Sequence, residues 1–419
     1  MATGDSTIGP VRTWALAAGG MVGGGIYIAL GVVIEAAGAW SWLSFLIAGV
    51  AAVITAGSYG ALTNRFHEAG GAFDFLERLD RKGFAGSLSW LLILGYMLTI
   101  AVYAHAFGGY VAHGVGGGDL VVRGCSIGIV AALVLLDLAG AGKLTAVEVV
   151  IVTANLLALL VLAGAGLVDW DVDALSRGIE ERPPTEAFLG AAVIFVSYEG
   201  FQLLTYEYDA MDEPEGWFTP VLVSAAIFVV GVYVAVALGA TMISGADGIV
   251  QNKGVALSVA AQQAFGTPGL IAMTVAAACA TTAAINSTLF STAKLAGRVA
   301  DDGELPGWFG HRNGQDIPDR AVIVVGLVAA VLAAFGSLSA LVEAASLVFV
   351  GTFLVVNLVA ARTEALPAWL AGIGAVLSAV LGVLLTVRLV QNEPVALGVL
   401  VGLAVLVFVA RPRIVGDDD

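Results

Sequence analysis

The sequence has few charged residues for its length. Asp, Glu, Lys and Arg make up 12% of the 419 residues, whereas apolar residues make up 59%. An average soluble protein is about a quarter charged, so this chain carries about half the charge that covers a water-soluble domain. This composition excludes a water-soluble enzyme and a disordered or fibrous chain. It indicates an integral membrane protein that crosses the bilayer several times.

Cysteine and histidine are also scarce, which limits the chemistry that the chain can perform. The two cysteines, Cys125 and Cys279, both lie in apolar stretches, and this excludes a disulfide framework and a thiolate metal cluster. The four histidines show no metal-ligand spacing, and no Walker-type GxxxxGKS/T or HExxH motif occurs. We therefore expect no metal and no cofactor.

Positive charge is scarcer than negative charge, and its distribution predicts the orientation. The chain has 18 Lys and Arg against 33 Asp and Glu, so we expect no nucleic-acid partner. With the N-terminus placed in the cytoplasm, thirteen of the 18 fall on the inner side and five on the outer side, namely Arg123, Arg177, Arg182, Lys253 and Arg388. Because basic loops stay on the inner side, we expect a multi-pass protein of the cytoplasmic membrane with both termini in the cytoplasm.

Long apolar runs predict the membrane-spanning helices. A helix that crosses a bilayer needs about 20 mostly apolar residues. Twelve such runs occur, near residues 11–34, 41–63, 84–112, 121–139, 144–168, 187–208, 217–243, 268–298, 320–338, 340–361, 366–388 and 394–411. We expect an all-α protein with twelve transmembrane helices, one transport domain over residues 1–419, and an acidic cytoplasmic tail at 412–419.

The first predicted span contains a run of three glycines, Gly23, Gly24 and Gly25. Each glycine disfavours a helix by about 1 kcal/mol relative to alanine, so the helix is expected to unwind there. Unwound backbone inside a membrane must be satisfied by protein or by a polar cavity. Its free N–H groups, and the N-terminus of the half-helix that follows, suit a carboxylate. The alternative is a glycine face for tight helix packing.

The sixth predicted span carries an acidic residue, Glu199, beside Gly200 within an apolar run. A carboxylate at the bilayer centre costs about 3 kcal/mol or more, so Glu199 should face an interior cavity. A protonated acid with a purely structural role is the alternative. Interrupted helices at matching positions of two halves are typical of inverted-repeat transporters. Residues 11–168 and 187–361 would then be the two five-helix repeats, and residues 366–411 two peripheral helices.

Several motifs resemble those of a known family. Gly23-Gly-Gly-Ile-Tyr resembles the glycine-rich break in the first helix of the amino acid–polyamine–organocation (APC) permeases. Residues 195–214 resemble their sixth helix, residues 300–318 the loop after their eighth, and residues 347–362 their tenth. The resemblance covers nearly the whole chain. It implies a secondary amino acid transporter with the leucine-transporter type of five-plus-five inverted repeat.

The resemblance also implies where the substrate binds. The implied binding residues lie in the two breaks and are Gly23, Gly24, Gly25, Ile26, Phe195, Val196, Tyr198, Glu199 and Phe201. The first-helix backbone would hold the substrate carboxylate, and carbonyls of the sixth helix would receive the amino group. Glu199 would contact a cationic side chain or take up a proton. Tyr198 and Phe201 would line a gate or pocket, or would only pack in the core.

One position departs from the family pattern. Many proton-coupled relatives carry a lysine in the fifth helix that bridges to the first break, and Asn155 stands at the comparable place here. Because asparagine cannot change charge, facilitated transport, exchange, sodium coupling and protonation of Glu199 all stay open. The other candidates for coupling or gating, each with helix packing as its alternative, are Thr281, Thr282, Asn286, Tyr103 and His105.

Together these observations predict a permease that moves amino acids or related amines by alternating access around a site at the middle of the membrane. One alternative is a membrane-embedded enzyme, which would need a polar catalytic cluster near an interface. Another is an ion channel, which usually needs symmetric subunits around a pore. The expected partners are the small-molecule substrate, the lipid bilayer and, if transport is coupled, a proton or a sodium ion.

Overall fold

Helices account for nearly all of the regular structure in the part of the chain that is described. The computed structural model describes residues 8–67, 71–77, 82–140 and 146–415. Its α-helices are α1 (Pro10–Val22), α2 (Gly25–Ala37), α3 (Ser41–Phe66), α4 (Gly71–Glu77), α5 (Lys82–Val115), α6 (Asp119–Leu138), α7 (Ala146–Val168), α8 (Glu186–Val193), α9 (Phe218–Gln251), α10 (Ala256–Asp301), α11 (Asp319–Phe335), α12 (Leu338–Arg362), α13 (Ala368–Asn392) and α14 (Pro394–Val415). Over the same residues the only strand-type pairing is an isolated bridge between Ile8 and Met211.

Many of these helices have the length and composition of membrane spans. In the described ranges, eight helical stretches are long and apolar enough to cross a bilayer, with α1 to α3 taken as one stretch, Pro10–Phe66. A ninth is the bent pair formed by α8 and the 3₁₀ segments that follow it to Ala210. The chain is therefore a multi-pass, all-helical membrane protein, and the full set of twelve spans stays a prediction.

Two helices are longer than hydropathy predicts. The predicted spans 217–243 and 268–298 correspond to α9 and α10, which extend to Gln251 and begin at Ala256. Glycines with positive φ redirect both helices near these extensions, at Gly245 (φ 70°) and Gly266 (φ 68°). The predicted spans omit these turns because the turns are more polar. Hydropathy reports the preference of a segment for lipid and does not report helicity.

The C-terminal helix also extends beyond its predicted end. Helix α14 continues to Val415, so the first residues of the predicted tail 412–419 are helical. Residues 416–419 lie outside the described residues. The short helix α4, between α3 and α5, has no counterpart among the predicted spans.

Close backbone contacts at glycine hold neighbouring helices together. A Cβ added at Gly166 of α7 would lie 1.9 Å from the carbonyl oxygen of Gly239 in α9, and one at Gly239 would lie 2.4 Å from that of Ala163. Such contacts are typical of helices that pack in lipid, where small residues allow a close approach.

The buried centre of the bundle contains the broken helices. Every residue of α2 except Glu35 is buried. Helix α7, by contrast, exposes Val150, Leu157 and Val161 on one face, as expected of side chains that contact lipid. The interrupted helices therefore lie in the interior, so the candidate site is at the centre of the protein.

Candidate functional site

The first predicted break is present and is confined to one residue. Helix α1 ends at Val22, and Gly23 still has right-handed helical angles (φ −56°, ψ −29°). Gly24 departs from the helix (φ −141°, ψ −22°), and α2 begins at Gly25. The glycine run therefore interrupts the helix, and the interruption is narrower than the predicted range of residues 23–25.

The second predicted break is longer. Helix α8 ends at Val193, and a 3₁₀ turn at Phe195–Tyr198 leads to Glu199, whose backbone is extended. Gly200 has a φ of 129°, a conformation that side-chain-bearing residues rarely adopt, and a second 3₁₀ segment, Phe201–Ala210, follows. The two halves are bent by 60°. Gly200 is therefore required for the change of direction.

The two breaks lie against each other. A Cβ at Gly20 of α1 would be 3.3 Å from the backbone of Gly200, and a Cβ at Gly25 would be 2.5 Å from the carbonyl oxygen of Ser197. The hydroxyl of Ser197 also donates to the carbonyl of Gly25, at 3.4 Å. Glycine is needed on both helices because the two backbones approach within contact distance.

A tyrosine of α9 joins the two breaks. The hydroxyl of Tyr233 lies 2.7 Å from the carbonyl oxygen of Met21 and 2.8 Å from that of Ser197. These carbonyls belong to the ends of helical segments, where no intrahelical donor follows. Tyr233 is not among the residues predicted from the sequence. The available signal was a tyrosine inside an apolar span, whose hydroxyl needs a hydrogen-bond partner.

A serine of α12 satisfies the backbone of the second break. The hydroxyl of Ser346 donates to the carbonyl of Val193 at 2.7 Å and accepts from the N–H of Val196 at 3.0 Å. Ser346 is not among the residues predicted from the sequence either. Ser346 explains how part of the interrupted helix is tolerated at membrane depth, where unpaired backbone groups are costly.

Glu199 lies inside the bundle and not against lipid. Its side chain is 1% exposed. One carboxylate oxygen accepts from the side-chain amide of Gln202 at 3.0 Å, and the other from the hydroxyl of Tyr103 at 3.3 Å. The side-chain amide oxygen of Gln202 in turn accepts from the N–H of Gly200 at 3.0 Å. Glu199, Gln202 and Tyr103 thus form a connected polar network at the second break.

Tyr103 also closes the space beside the first break. A Cβ at Gly24 would lie 2.0 Å from its ring. The ring therefore packs directly on the unwound residue while its hydroxyl contacts Glu199, so Tyr103 contacts both breaks. Tyr103 was one of the candidates for coupling or gating, and it lies between the two predicted binding segments.

Asn155 contacts the half-helix that follows the first break. It is 3% exposed on α7, and its amide oxygen accepts a hydrogen bond from the hydroxyl of Tyr27. The backbone carbonyl of Tyr27 accepts from Tyr110 of α5, at 3.0 Å. A neutral side chain therefore connects α7 to α2 at this position.

The aromatic residues of the sixth span mainly pack in the interior. The hydroxyl of Tyr198 donates to the carbonyl of Phe45 in α3, at 2.7 Å. Phe195 and Phe201 pack on Phe353 of α12, with ring centroids 5.4 and 5.6 Å apart. Ile26 is also fully buried. In this structure these side chains contact other buried residues, and a gate or pocket role for Tyr198 and Phe201 stays a prediction.

The remaining coupling candidates differ in their contacts. The hydroxyls of Thr281 and Thr282 donate to carbonyls of their own helix, Ala277 and Ala278, at 2.7 Å. Asn286 is half-buried on α10. His105 lines a different cavity of about 440 Å³ between the ends of α5, α6 and α11.

A small cavity lies beside the contact between the two breaks. Its volume is about 40 Å³, enough for one or two water molecules. Residues that line it include Gly19 and Gly20 of α1, Gly200, and, further along, Glu207, Ser287 and Phe290. We call it the inner cavity, because Glu207, which lines it, pairs with Lys294 on the side predicted to be cytoplasmic.

Ion pairs stand at both ends of the central helices. At the inner end Lys294 of α10 pairs with Glu207 at 2.6 Å, and Arg298 pairs with Asp74 of α4 at 2.6 Å. At the opposite end Lys253, between α9 and α10, pairs with Glu35 of α2 at 2.9 Å. Charged groups thus connect the half-helices to the surrounding scaffold on both sides of the breaks.

Comparison with known proteins agrees with this architecture. The family model for "Amino acid permease" matches residues 8–410. An uncharacterized protein of Methanocaldococcus jannaschii is 28% identical over 298 residues, which are 70% of this chain and 68% of that protein. An uncharacterized transporter of Mycobacterium tuberculosis is 27% identical over 332 residues, 75% of this chain and 71% of the transporter.

A plant protein named for its substrate is also similar. The mitochondrial cationic amino acid transporter 3 of Arabidopsis thaliana is 26% identical over 377 residues, which are 83% of this chain. This chain spans 60% of the length of that transporter.

The family match extends over nearly the whole chain, as the sequence motifs predicted. It excludes the alternative of a membrane-embedded enzyme, since the family and its named relatives are transporters. The resemblance to APC permeases is confirmed: the chain belongs to the amino acid permease family.

Proposed function

We propose that this protein is a secondary amino acid carrier of the cytoplasmic membrane, which works by alternating access around the two contacting breaks. The single observation that carries the proposal is that both interrupted helices meet at the buried centre, with a carboxylate beside them. The proposed topology is twelve spans in a five-plus-five inverted repeat, with both termini in the cytoplasm. The position of the breaks, five predicted spans apart, supports this arrangement.

The first break supplies donors for a carboxylate. The N–H groups at the start of α2, at Gly25 and Ile26, have no intrahelical acceptor, and the helix N-terminus carries partial positive charge. The N-cap, Gly24, offers no side-chain hydrogen bond that would compete. A substrate carboxylate would occupy this end of the half-helix beside Gly23 and Gly24, once the Tyr103 ring that packs on Gly24 in this structure has moved away.

The second break supplies acceptors for an amino group. The carbonyl of Ser197 lies beside Gly25 and is bonded in this structure by Tyr233. The carbonyls of Phe195, Val196 and Tyr198 belong to the same turn. An α-amino group would receive its acceptors from this turn, so a zwitterion would bridge the two helices. Displacement of the Tyr233 hydroxyl would then couple substrate binding to the contact between the breaks.

Glu199 favours a cationic substrate. A buried carboxylate at the binding position attracts an ammonium or guanidinium group, and both of its oxygens already accept hydrogen bonds that orient it. The similarity to a cationic amino acid transporter supports the same class. We therefore propose cationic amino acids or related amines as substrates.

We further propose that any coupling proton binds at Glu199 and not on α7. Asn155 is neutral and holds Tyr27 through a hydrogen bond, so α7 offers no group that changes charge there. We assign no sodium site to Thr281 and Thr282, whose hydroxyls each donate to a carbonyl of their own helix, as helix-packing residues commonly do. The proposed mode of transport is exchange or facilitated transport without sodium.

Counterflow in proteoliposomes tests the proposal. Vesicles loaded with an unlabelled amino acid or amine should accumulate the same labelled compound transiently, whether the buffer contains sodium or potassium. A channel would equilibrate the label with no such overshoot. Absence of counterflow for every amino acid and amine, in protein shown to be folded, would overturn the proposal.

A matched pair of variants tests the role of Glu199. Glu199→Gln should reduce counterflow of lysine and arginine more than that of leucine and flatten its dependence on pH. The control is Glu343→Gln, which alters another buried glutamate, paired with Arg388 at 2.9 Å between α12 and α13. An unaltered substrate profile in Glu199→Gln would leave Glu199 with a structural role only.

A further inference from the structure

An ion pair at the inner cavity has the chemistry of a binding site for an alkylammonium group. The ammonium nitrogen of Lys294 lies 2.6 Å from a carboxylate oxygen of Glu207 and 4.7 Å from the centre of the Phe290 ring. The Glu207 side chain is 13% exposed. A carboxylate and an aromatic face that flank one ammonium group combine a charged hydrogen bond with a cation–π contact.

The position of this pair connects it to the central breaks. Glu207 and Phe290 line the inner cavity, and so do Gly20 and Gly200 at the contact between the broken helices. Glu207 belongs to the 3₁₀ segment that follows the second break, whereas Phe290 and Lys294 lie one turn apart on α10. A substrate that leaves the breaks through this cavity must therefore pass Glu207 and Phe290.

We propose that Glu207 and Phe290 form a second subsite, which takes the cationic side chain of the substrate during passage and is filled in this structure by Lys294. The inference rests on the proposed function, because it assumes that a cationic amino acid moves through the inner cavity. Lys294 carries an ammonium group on four methylenes, as the side chain of free lysine does. The protein thus holds a tethered equivalent of one such substrate in the subsite.

The subsite predicts selectivity during passage. The cavity of about 40 Å³ is too small for an amino acid, so it must widen before a substrate passes, and binding of the substrate to Glu207 then requires Lys294 to leave that carboxylate. A cationic side chain can replace Lys294 on Glu207 without leaving the carboxylate unpaired. A neutral side chain cannot, and the largely buried carboxylate then loses its partner. Cationic substrates should therefore cross this constriction faster than neutral ones of similar size.

Chemical rescue tests the subsite without any transport measurement. Lys294→Ala vacates the space between Glu207 and Phe290, and n-butylammonium should then raise the thermal unfolding midpoint of the purified variant in detergent. In the wild type and in the double variant Lys294→Ala/Glu207→Gln, n-butylammonium should raise the unfolding midpoint no more than tetramethylammonium chloride does at equal ionic strength. Equal stabilisation of all three proteins, or of none, would overturn the proposal.

A second measurement uses transport and a matched ion pair. Glu207→Gln should reduce the ratio of lysine to leucine efflux about five- to tenfold. Arg298→Gln breaks a neighbouring ion pair of the same length, with Asp74, that does not line the cavity, so it should leave the ratio unchanged. Equal effects on both substrates in Glu207→Gln would indicate a helix brace and refute the subsite. Absence of transport by the wild type would instead refute the proposed function, while the rescue experiment would still report on the subsite.

Discussion

Replacement of Tyr233 by phenylalanine is the most informative single perturbation of the central site. It removes one hydroxyl and leaves the ring, which stacks beside Tyr198 with centroids 5.0 Å apart. The hydroxyl lies within 2.8 Å of two carbonyls, those of Met21 and Ser197, which belong to different broken helices. The substitution therefore removes a contact between the breaks and changes little else.

The structure sets the size of the expected effect. One hydroxyl proton serves two carbonyls, so its loss leaves about one buried carbonyl unpaired, which costs about 1–3 kcal/mol. That free energy corresponds to about a 5- to 150-fold change in the equilibrium between states with the breaks together and apart. We expect Tyr233→Phe to reduce counterflow and to lower the thermal unfolding midpoint.

Tyr198→Phe is the matched control for this prediction. Its hydroxyl donates to the carbonyl of Phe45 inside α3, and that carbonyl keeps a helical donor when the hydroxyl is removed. Tyr198→Phe should therefore reduce counterflow and the thermal unfolding midpoint less than Tyr233→Phe does. Wild-type counterflow and stability in Tyr233→Phe, or an equal loss in Tyr198→Phe, would refute the role assigned to the bridge.

Two further substitutions test the break and the contact made by α7. Gly200→Ala should cost about 1–3 kcal/mol in backbone strain alone and place a Cβ 2.4 Å from the backbone of Gly20, so counterflow should be lost. The control is Gly231→Ala on α9, where a Cβ has open space and transport should be normal. Normal counterflow in Gly200→Ala would contradict the role of the close contact. Asn155→Leu should leave the buried hydroxyl of Tyr27 without its acceptor and lower the thermal unfolding midpoint, by an amount equivalent to about 1–3 kcal/mol. An unfolding midpoint equal to that of the wild type would show that the hydrogen bond contributes nothing to stability.

Several features of the site could be predicted because they depend on local properties of the chain. The break at Gly24 follows from the helix penalty of consecutive glycines. The interior position of Glu199 follows from the cost of a carboxylate in lipid. Neither argument needs to know which other helix lies nearby, so both predictions agree with the structure.

Other features could not be predicted because they depend on which distant residues meet. Tyr233 is 212 residues from Met21, and Ser346 is 150 residues from Val196. Thr281 and Thr282 were candidates by residue type, yet their hydroxyls are bonded within their own helix. A polar residue in an apolar span signals that a partner exists without identifying the partner.

The sequence by itself determined the class of the protein, the approximate positions of its spans and the two interruptions, since composition and helix propensity act over a few neighbouring residues. Only the tertiary structure decided that the interruptions touch, that Tyr233 joins them, and that Lys294 pairs with the carboxylate of Glu207 at the inner cavity. These contacts span less than about 3.5 Å, and a shift of one helix by a single turn, about 5.4 Å along its axis, would abolish each of them without changing any local pattern.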